Sequence, residues 1–395
     1  MLLSLSLILL SGLLLGWLCS LVRIPRLFGM IIAGILIGPH VLNLISPEIL
    51  GISTELRKIA LIIILIRAGL NLDLEDLKKV GRPAILMCFV PACCEMAGMV
   101  LLAPRLLGID LLNAAIMGAV VAAVSPAVVV PRMIRLIEEG YGTNQGIPQM
   151  ILGGASVDDV FVIVLFTTFT GLAKGGSISA RAIINVPVSI VTGIALGLLI
   201  GYLLWFFFDR CHMRDSIKVV ILMSTAFIFC TVEDRFSTVI PFASLIAVMG
   251  LGIAIRKKKP VLSARLSAKF DRLWVCAEIF LFVLVGASVE IESALSAGPA
   301  ILILLAGVLL FRMAGVWICV LGTGLTSKEK LFCMLAYIPK ATVQAAIGGL
   351  PLAMGLSCGN IVLTVSVIAI LVTAPLGAFA IDLTYRKWLS PENPQ

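Results

Sequence analysis

The chain has 395 residues, of which 60% are hydrophobic and 13% charged, and its mean hydropathy is +1.13. A soluble domain carries about 25% charged residues, so the composition excludes a water-soluble enzyme or binding module and indicates an integral membrane protein. A formal net charge of +8 would suit nucleic acid or anionic lipid, but in so apolar a chain the lysines and arginines mark cytoplasmic loops, and no nucleic-acid partner is expected.

Apolar runs long enough to cross a lipid membrane recur from end to end. They predict an all-α membrane protein of thirteen transmembrane helices, at about 2–22, 26–42, 55–71, 82–104, 110–133, 147–172, 181–208, 216–232, 237–255, 271–289, 297–322, 328–353 and 358–384. The first run has no charged residue before it and none of the basic leader or small-residue cleavage site of a secretory signal, so it reads as a retained span. The loops are short and leave no room for a soluble domain. Ten cysteines show no CxxC or CxxH spacing, and the two histidines, His40 and His212, fall near span ends. No disulfide framework, zinc site, histidine relay or cofactor is expected. Counting Lys plus Arg gives 21 in the odd-numbered loops and C-terminus against 6 in the even-numbered loops, with Arg67, Arg312 and Lys340 inside spans. The positive-inside rule then puts the N-terminus outside and the C-terminus in the cytoplasm. The run Arg256–Lys259 reads as a topology anchor. Arg67, near the end of its span, either snorkels to the cytoplasmic face or pairs with Asp73.

A weak internal repeat joins distant parts of the chain. Gly29–Gly38 resembles Ala243–Gly252, and Ile64–Leu77 resembles Leu281–Ala294, which aligns Gly69 with Gly286 and Asp73 with Glu290. These are spans 2 and 3 against spans 9 and 10. An offset of seven spans is odd, so the copies enter the membrane in opposite orientations, the inverted-repeat architecture of many secondary transporters. The same offset sets Glu95, in PACCEMAG of span 4, against Arg312, in LLFRMAG of span 11. Opposite charges buried at equivalent points compensate one another, and the pair is as well suited to bracing the bundle as to transport.

Span 5 contains VSPAVVVP, with Pro126 and Pro131, and the equivalent span 12 contains YIPKATVQAAIG, with Pro339 beside Lys340. Proline removes a backbone hydrogen bond and clashes with the carbonyl one turn back. Unwound backbone is tolerated at membrane depth only where it is protein-lined or lines a watery cavity. Matched interruptions point to an ion site, where free carbonyls, the Ser125 hydroxyl and the compensating charge of Lys340 are available. Between them, near the middle of span 6, Asp158 and Asp159 stand side by side in GGASVDDV. An intramembrane carboxylate is costly and marks a functional site. Two neighbouring acids that hold either protons or a small cation are the chemistry of cation/proton exchange. Residues i and i+1 of a helix point about 100° apart, so Asp159 faces the cavity while Asp158 reaches it from the flank.

VSPAVVVP, GGASVDDV and YIPKATVQAAIG together resemble the monovalent cation:proton antiporter superfamily, and most nearly its NHA-type branch of sodium/proton exchangers, found in bacteria and animals. The resemblance runs over essentially the whole chain. It implies an NhaA/NapA-like fold with two crossing unwound helices, and a homodimer in the lipid membrane, the bacterial inner (cytoplasmic) membrane being the expected location. Residues 1–75 and 210–295 would form the dimerisation scaffold, 81–175 and 296–386 the ion-transporting core, and 181–208 a linker helix, all within one transporter unit of 1–395. Asp159 would bind Na⁺ or Li⁺ in competition with H⁺, assisted by Asp158 and Ser125. One departure stands out. Electrogenic relatives carry a lysine where this chain has Arg312, and arginine keeps its proton at accessible pH. Two other readings fit the residues less well. A sodium-coupled symporter of organic anions on the same type of fold would need more polar groups for its solute than Ser125, Gln344 and the acids supply. An intramembrane aspartyl protease would need two aspartates on different helices, one in a GxGD context, which is absent.

Overall fold

Every regular element is an α-helix, apart from one isolated bridge between Tyr141 and Pro391, in a computed structural model that describes residues 1–22, 24–72, 81–175, 180–236, 242–289 and 291–391. Among the described residues, eight helical stretches have the length and hydropathy to cross a membrane, and they coincide with expected spans 1, 4, 5, 6, 7, 8, 11 and 13. The other expected spans fall on shorter or more polar helices. Arg26–Ile37 has 12 residues, and Ser244–Lys258 has 15 and ends in three basic ones. Expected span 12 is divided among Ser327–Ala336, Thr342–Ile347 and Leu350–Ala353.

The chain forms two compact units. One comprises Met1–Arg57, Glu75–Phe166 and Ile279–Gln395, and the other Lys58–Leu74 and Thr167–Glu278. Within the first unit the helices differ sharply in burial. Of an 18-residue apolar segment within Leu111–Glu138, 72% of residues are buried, and of one within Gly359–Trp388, 67%, whereas within Leu2–Leu21 the share is 22% and Leu2, Leu10 and Trp17 turn outward. The former are interior helices, and the latter turns an apolar surface outward.

Two interior helices of this unit are interrupted. Leu111–Val121 stops, Ala122–Ser125 is non-helical, and the chain resumes as Pro126–Glu138. Proline suits the first helical position because its missing N–H has no intrahelical partner there. Its ring disfavours helical backbone in the residue before it, and Ser125 is extended accordingly, at φ −87° and ψ 112°. Ser327–Ala336 similarly gives way at 337–341, around Pro339, before Thr342–Ile347. Pro131 departs from expectation. It lies within the continuous helix Pro126–Glu138 and belongs to no break.

Small residues set the close packing. The helix Val90–Leu107, which carries Glu95, lies against Ile291–Cys319, which carries Arg312. Gly98 abuts the Phe311 ring and Gly315 abuts the backbone of Pro91 and the side chain of Cys94. In the second unit Gly193, Gly197 and Gly201 of the helix Ala180–Arg210 face backbone atoms at Ala243, Ala247 and Leu251. That one-turn spacing of small residues lets membrane helices approach closely.

The repeat segments make equivalent contacts. In the first unit Gly286 packs on the backbone of Ile31 and Ile35, and Gly38 on Ala287; in the second, Gly69 packs on Met249, and Gly252 on Gly69 and Leu70. Under the sequence repeat Gly286 corresponds to Gly69, Ala287 to Leu70, and Gly38 to Gly252, so each copy of one segment meets a copy of the other at matching positions. Asp73 and Glu290, also aligned by the repeat, lie outside the described residues. Arg67 pairs with Asp271 in the second unit.

A buried charge cluster at two helix breaks

Within the first unit the two breaks meet. The Ser125 N–H donates to the Pro339 carbonyl at 2.8 Å. The Gln344 Nε2 donates to the carbonyls of Val121 at 3.0 Å and Ala123 at 2.9 Å. Carbonyls and N–H groups released by unwinding are thus met by the opposite break, which is how non-helical backbone survives in an apolar interior. Asp158 joins the same point from the helix Ile147–Gly175, its Oδ2 accepting the Val124 N–H at 2.8 Å.

Arg312 ties the cluster together. Its Nη1 donates to Glu95 Oε2 at 2.7 Å and to the Ala122 carbonyl, its Nη2 to Asp158 Oδ2 at 3.1 Å, and its Nε to the Tyr337 carbonyl at 2.5 Å. One planar fork therefore reaches two carboxylates and one carbonyl from each break, a geometry lysine lacks. Its charged carbon also lies 5.3 Å from the centre of the Tyr337 ring. Lys340 Nζ donates to the same Glu95 oxygen at 2.5 Å, and the Lys340 N–H donates to Thr373 Oγ1 at 2.9 Å. Lys340 was expected to offset helix ends, and its side chain instead answers a carboxylate. All of these groups are sequestered: Glu95 and Lys340 are fully buried and Arg312 is 1% exposed.

Ionised, Glu95, Asp158 and Asp159 carry three negative charges against the two positive charges of Arg312 and Lys340; Glu95 and Asp158 pair with these cations, and the buried Asp159 follows Asp158 on the helix. One negative charge is left uncompensated. Unmet oxygens accompany it. Asp158 Oδ1, Asp159 Oδ1, Ser125 Oγ, Thr342 Oγ1, Gln344 Oε1 and Glu95 Oε1 are buried and accept no hydrogen bond from the protein. Buried oxygens are rarely left without a partner, and hard oxygen donors with a surplus negative charge suit a small monovalent cation or a proton.

The structure brings together Asp158, Ser125, Glu95, Arg312, Lys340, Pro126 and Pro339, with Asp159 next to Asp158 on the same helix. Pro131 lies apart from the cluster. Thr342, Thr373 and Tyr337 join the cluster as well, outside the site residues expected from the sequence. Polar side chains two and four residues beyond Lys340, in an otherwise apolar span, are the signal the Thr342–Gln344 stretch carries.

The fold and this site define a polytopic membrane protein built around a buried charge cluster at two helix breaks. The family model for the transmembrane sodium/hydrogen exchanger matches residues 6–386, and the chain belongs to that family. It is a multi-pass integral membrane protein. It is 34% identical over 397 residues to sodium/hydrogen exchanger 9B2 of Xenopus tropicalis, covering 95% of this chain and 72% of the relative. To human sodium/hydrogen exchanger 9B2 it is 33% identical (92% and 70% covered), and to human 9B1 31% identical (95% and 76%). Among solved structures, the sodium proton antiporter MjNhaP1 of Methanocaldococcus jannaschii superposes with a TM-score of 0.85 at 20% identity, covering 97% of each chain, and so shares the fold.

Proposed function

We propose that this chain exchanges Na⁺ or Li⁺ for H⁺ across the membrane by alternating access, with Asp159 as the competing site and Asp158 and Ser125 as its helpers. The observation that carries the reading is the single uncompensated negative charge in the buried cluster, beside oxygens that lack protein partners. One cation or one proton neutralises it, so each excludes the other. Membership of the exchanger family and the names of the 9B relatives support the same ion pair of substrates. A site with surplus negative charge gives no support to an organic-anion symporter.

In this reading the protein has thirteen transmembrane helices, with the two broken helices crossing at the site. Residues 81–175 and 296–386 form the moving core, 1–75 and 210–295 the scaffold of a homodimer, and 181–208 the linker. The matched glycine contacts of the repeat segments support an inverted repeat. The N-terminus lies outside a cytoplasmic membrane and the C-terminus inside, on the lysine and arginine asymmetry. Glu95 and Arg312 hold the breaks in place, and Lys340 shares the burden of Glu95.

Proteoliposomes with a preset proton gradient test the proposal. With the lumen acid, Na⁺ or Li⁺ added outside should enter as protons leave, so lumenal pH should rise, and Asp159→Asn should abolish the signal while the variant still purifies as a folded protein. Exchange retained in that variant would remove Asp159 from the mechanism.

A further inference from the structure

Gln344 holds its carboxamide in one orientation. It is fully buried, and two carbonyl oxygens, those of Val121 and Ala123, sit 3.0 and 2.9 Å from its amide nitrogen. Carbonyls only accept, so the NH₂ end must face them and the amide oxygen must face away. That oxygen, Oε1, is buried and has no hydrogen-bond partner. A purely structural tie between the breaks would be complete with the two donated bonds. The outward-facing oxygen is a second feature, and it is unmet.

Its setting says what it meets. Val121 is the last helical residue before one break and Ala123 lies within that break. Asp158 is bonded to Val124, and Ser125 to Pro339. The unmet oxygens of Gln344, Thr342, Ser125, Asp158 and Asp159 thus belong to three segments pinned to one another by hydrogen bonds to backbone groups.

We propose that Gln344 Oε1 is a ligand of the transported cation and a specificity-determining residue of the exchange. The inference rests on the cation/proton reading above. The amide contributes a neutral oxygen that no proton competes for, so it separates cation affinity from the proton competition at Asp159. Because its nitrogen is anchored to the carbonyl before one break and to a carbonyl within it, the oxygen is held at a fixed reach. A fixed ligand suits Na⁺ and Li⁺ better than the larger K⁺.

Gln344→Met keeps the length and apolar bulk of the side chain and removes the oxygen together with the two bonds donated to the Val121 and Ala123 carbonyls. In proteoliposomes assayed beside the wild type, the apparent KM for Na⁺ and Li⁺ should rise about tenfold, the scale of one bond to a charged group. The preference for Na⁺ over K⁺ should narrow, a readout separate from any loss of Vmax caused by freeing the two carbonyls. Gln344→Asn, which retains an amide but withdraws its oxygen by one methylene, should move KM in the same direction and serves if the Met variant fails to assemble. An unchanged KM with Vmax lowered alike for every cation would mark Gln344 as a structural tie and overturn the proposal. A wild type that exchanges no cation for protons would overturn the exchange reading and this proposal with it, an outcome distinct from normal exchange with an indifferent Gln344.

Discussion

Arg312 spends each of its three nitrogens on a different part of the site: Glu95, Asp158 and carbonyls from both breaks. Removing one partner of a buried ion pair leaves the other charge stranded, at a cost of about 3–5 kcal/mol. Arg312→Gln should therefore lower the thermal unfolding midpoint in detergent by many degrees, and Arg312→Lys should recover only part of the loss because an ammonium cannot hold four acceptors set in a plane. Full recovery by lysine would mean that charge alone, and not the fork, holds the breaks. The partnership of Glu95 with Arg312 was legible in the sequence, since the repeat offset aligns an acid with a base and burial requires compensation. The choice of Glu95 by Lys340 was not, because Lys340 lies on the break itself and its reach depends on how the unwound backbone turns. Gln344 was visible only as a polar residue in an apolar span; its role needed the two carbonyls that fix its amide.

The same contrast appears at the scale of helices. Both breaks were readable from proline, yet Pro131 resembled Pro126 in sequence and sits in intact helix; what distinguishes them is that Ser125 and its neighbours find partners on the other break. Glycine placement is likewise opaque until the partner is known. On the single helix Ile291–Cys319, Gly315 faces the Pro91 backbone, whereas a side chain at Gly298 would meet open space. Gly315→Ala should destabilise by about 1–3 kcal/mol through overpacking, with some loss of exchange as the Arg312–Glu95 register shifts. Gly298→Ala should be neutral or stabilise by up to about 1 kcal/mol, the helix propensity difference. Thermal unfolding of the two variants side by side decides, and equal effects would argue against the glycine notch. Beyond the end of the helix Pro126–Glu138, the exposed Glu139 accepts from Arg135 at 2.7 Å and from the Tyr385 hydroxyl at 2.8 Å, joining that helix to Gly359–Trp388. The Arg135 bond first, and then the Tyr385 bond, hold its carboxyl below the usual range. A depressed pKa stabilises the fold above the ordinary carboxylate pKa and ceases to do so as pH falls through the lowered value. The difference in unfolding midpoint between wild type and Glu139→Gln should thus be constant near neutrality and vanish on acidification. A difference that grew in acid would contradict the pairing.

For the whole molecule the decisive quantity is the charge of the buried cluster in each transport state. Arg312 stays cationic at any accessible pH, and Lys340 shares Glu95 with it. If both remain charged throughout the cycle, Asp159 alone alternates between binding a cation and binding a proton, and the cluster is neutral in either loaded state. The exchange is then one for one and moves no net charge. The rate of Na⁺-driven proton movement in proteoliposomes should accordingly be the same with and without a valinomycin potassium clamp, and Asp159→Asn should be silent under both conditions. Acceleration by the clamp would require a second proton per cation. Lys340 would be its first suspect, because among the five charges it alone combines full burial with a conjugate base that can exist as a neutral amine. Lys340→Gln restoring indifference to the clamp would then identify the carrier, and indifference in the wild type itself would establish that the two cations are fixed braces around a single exchangeable charge.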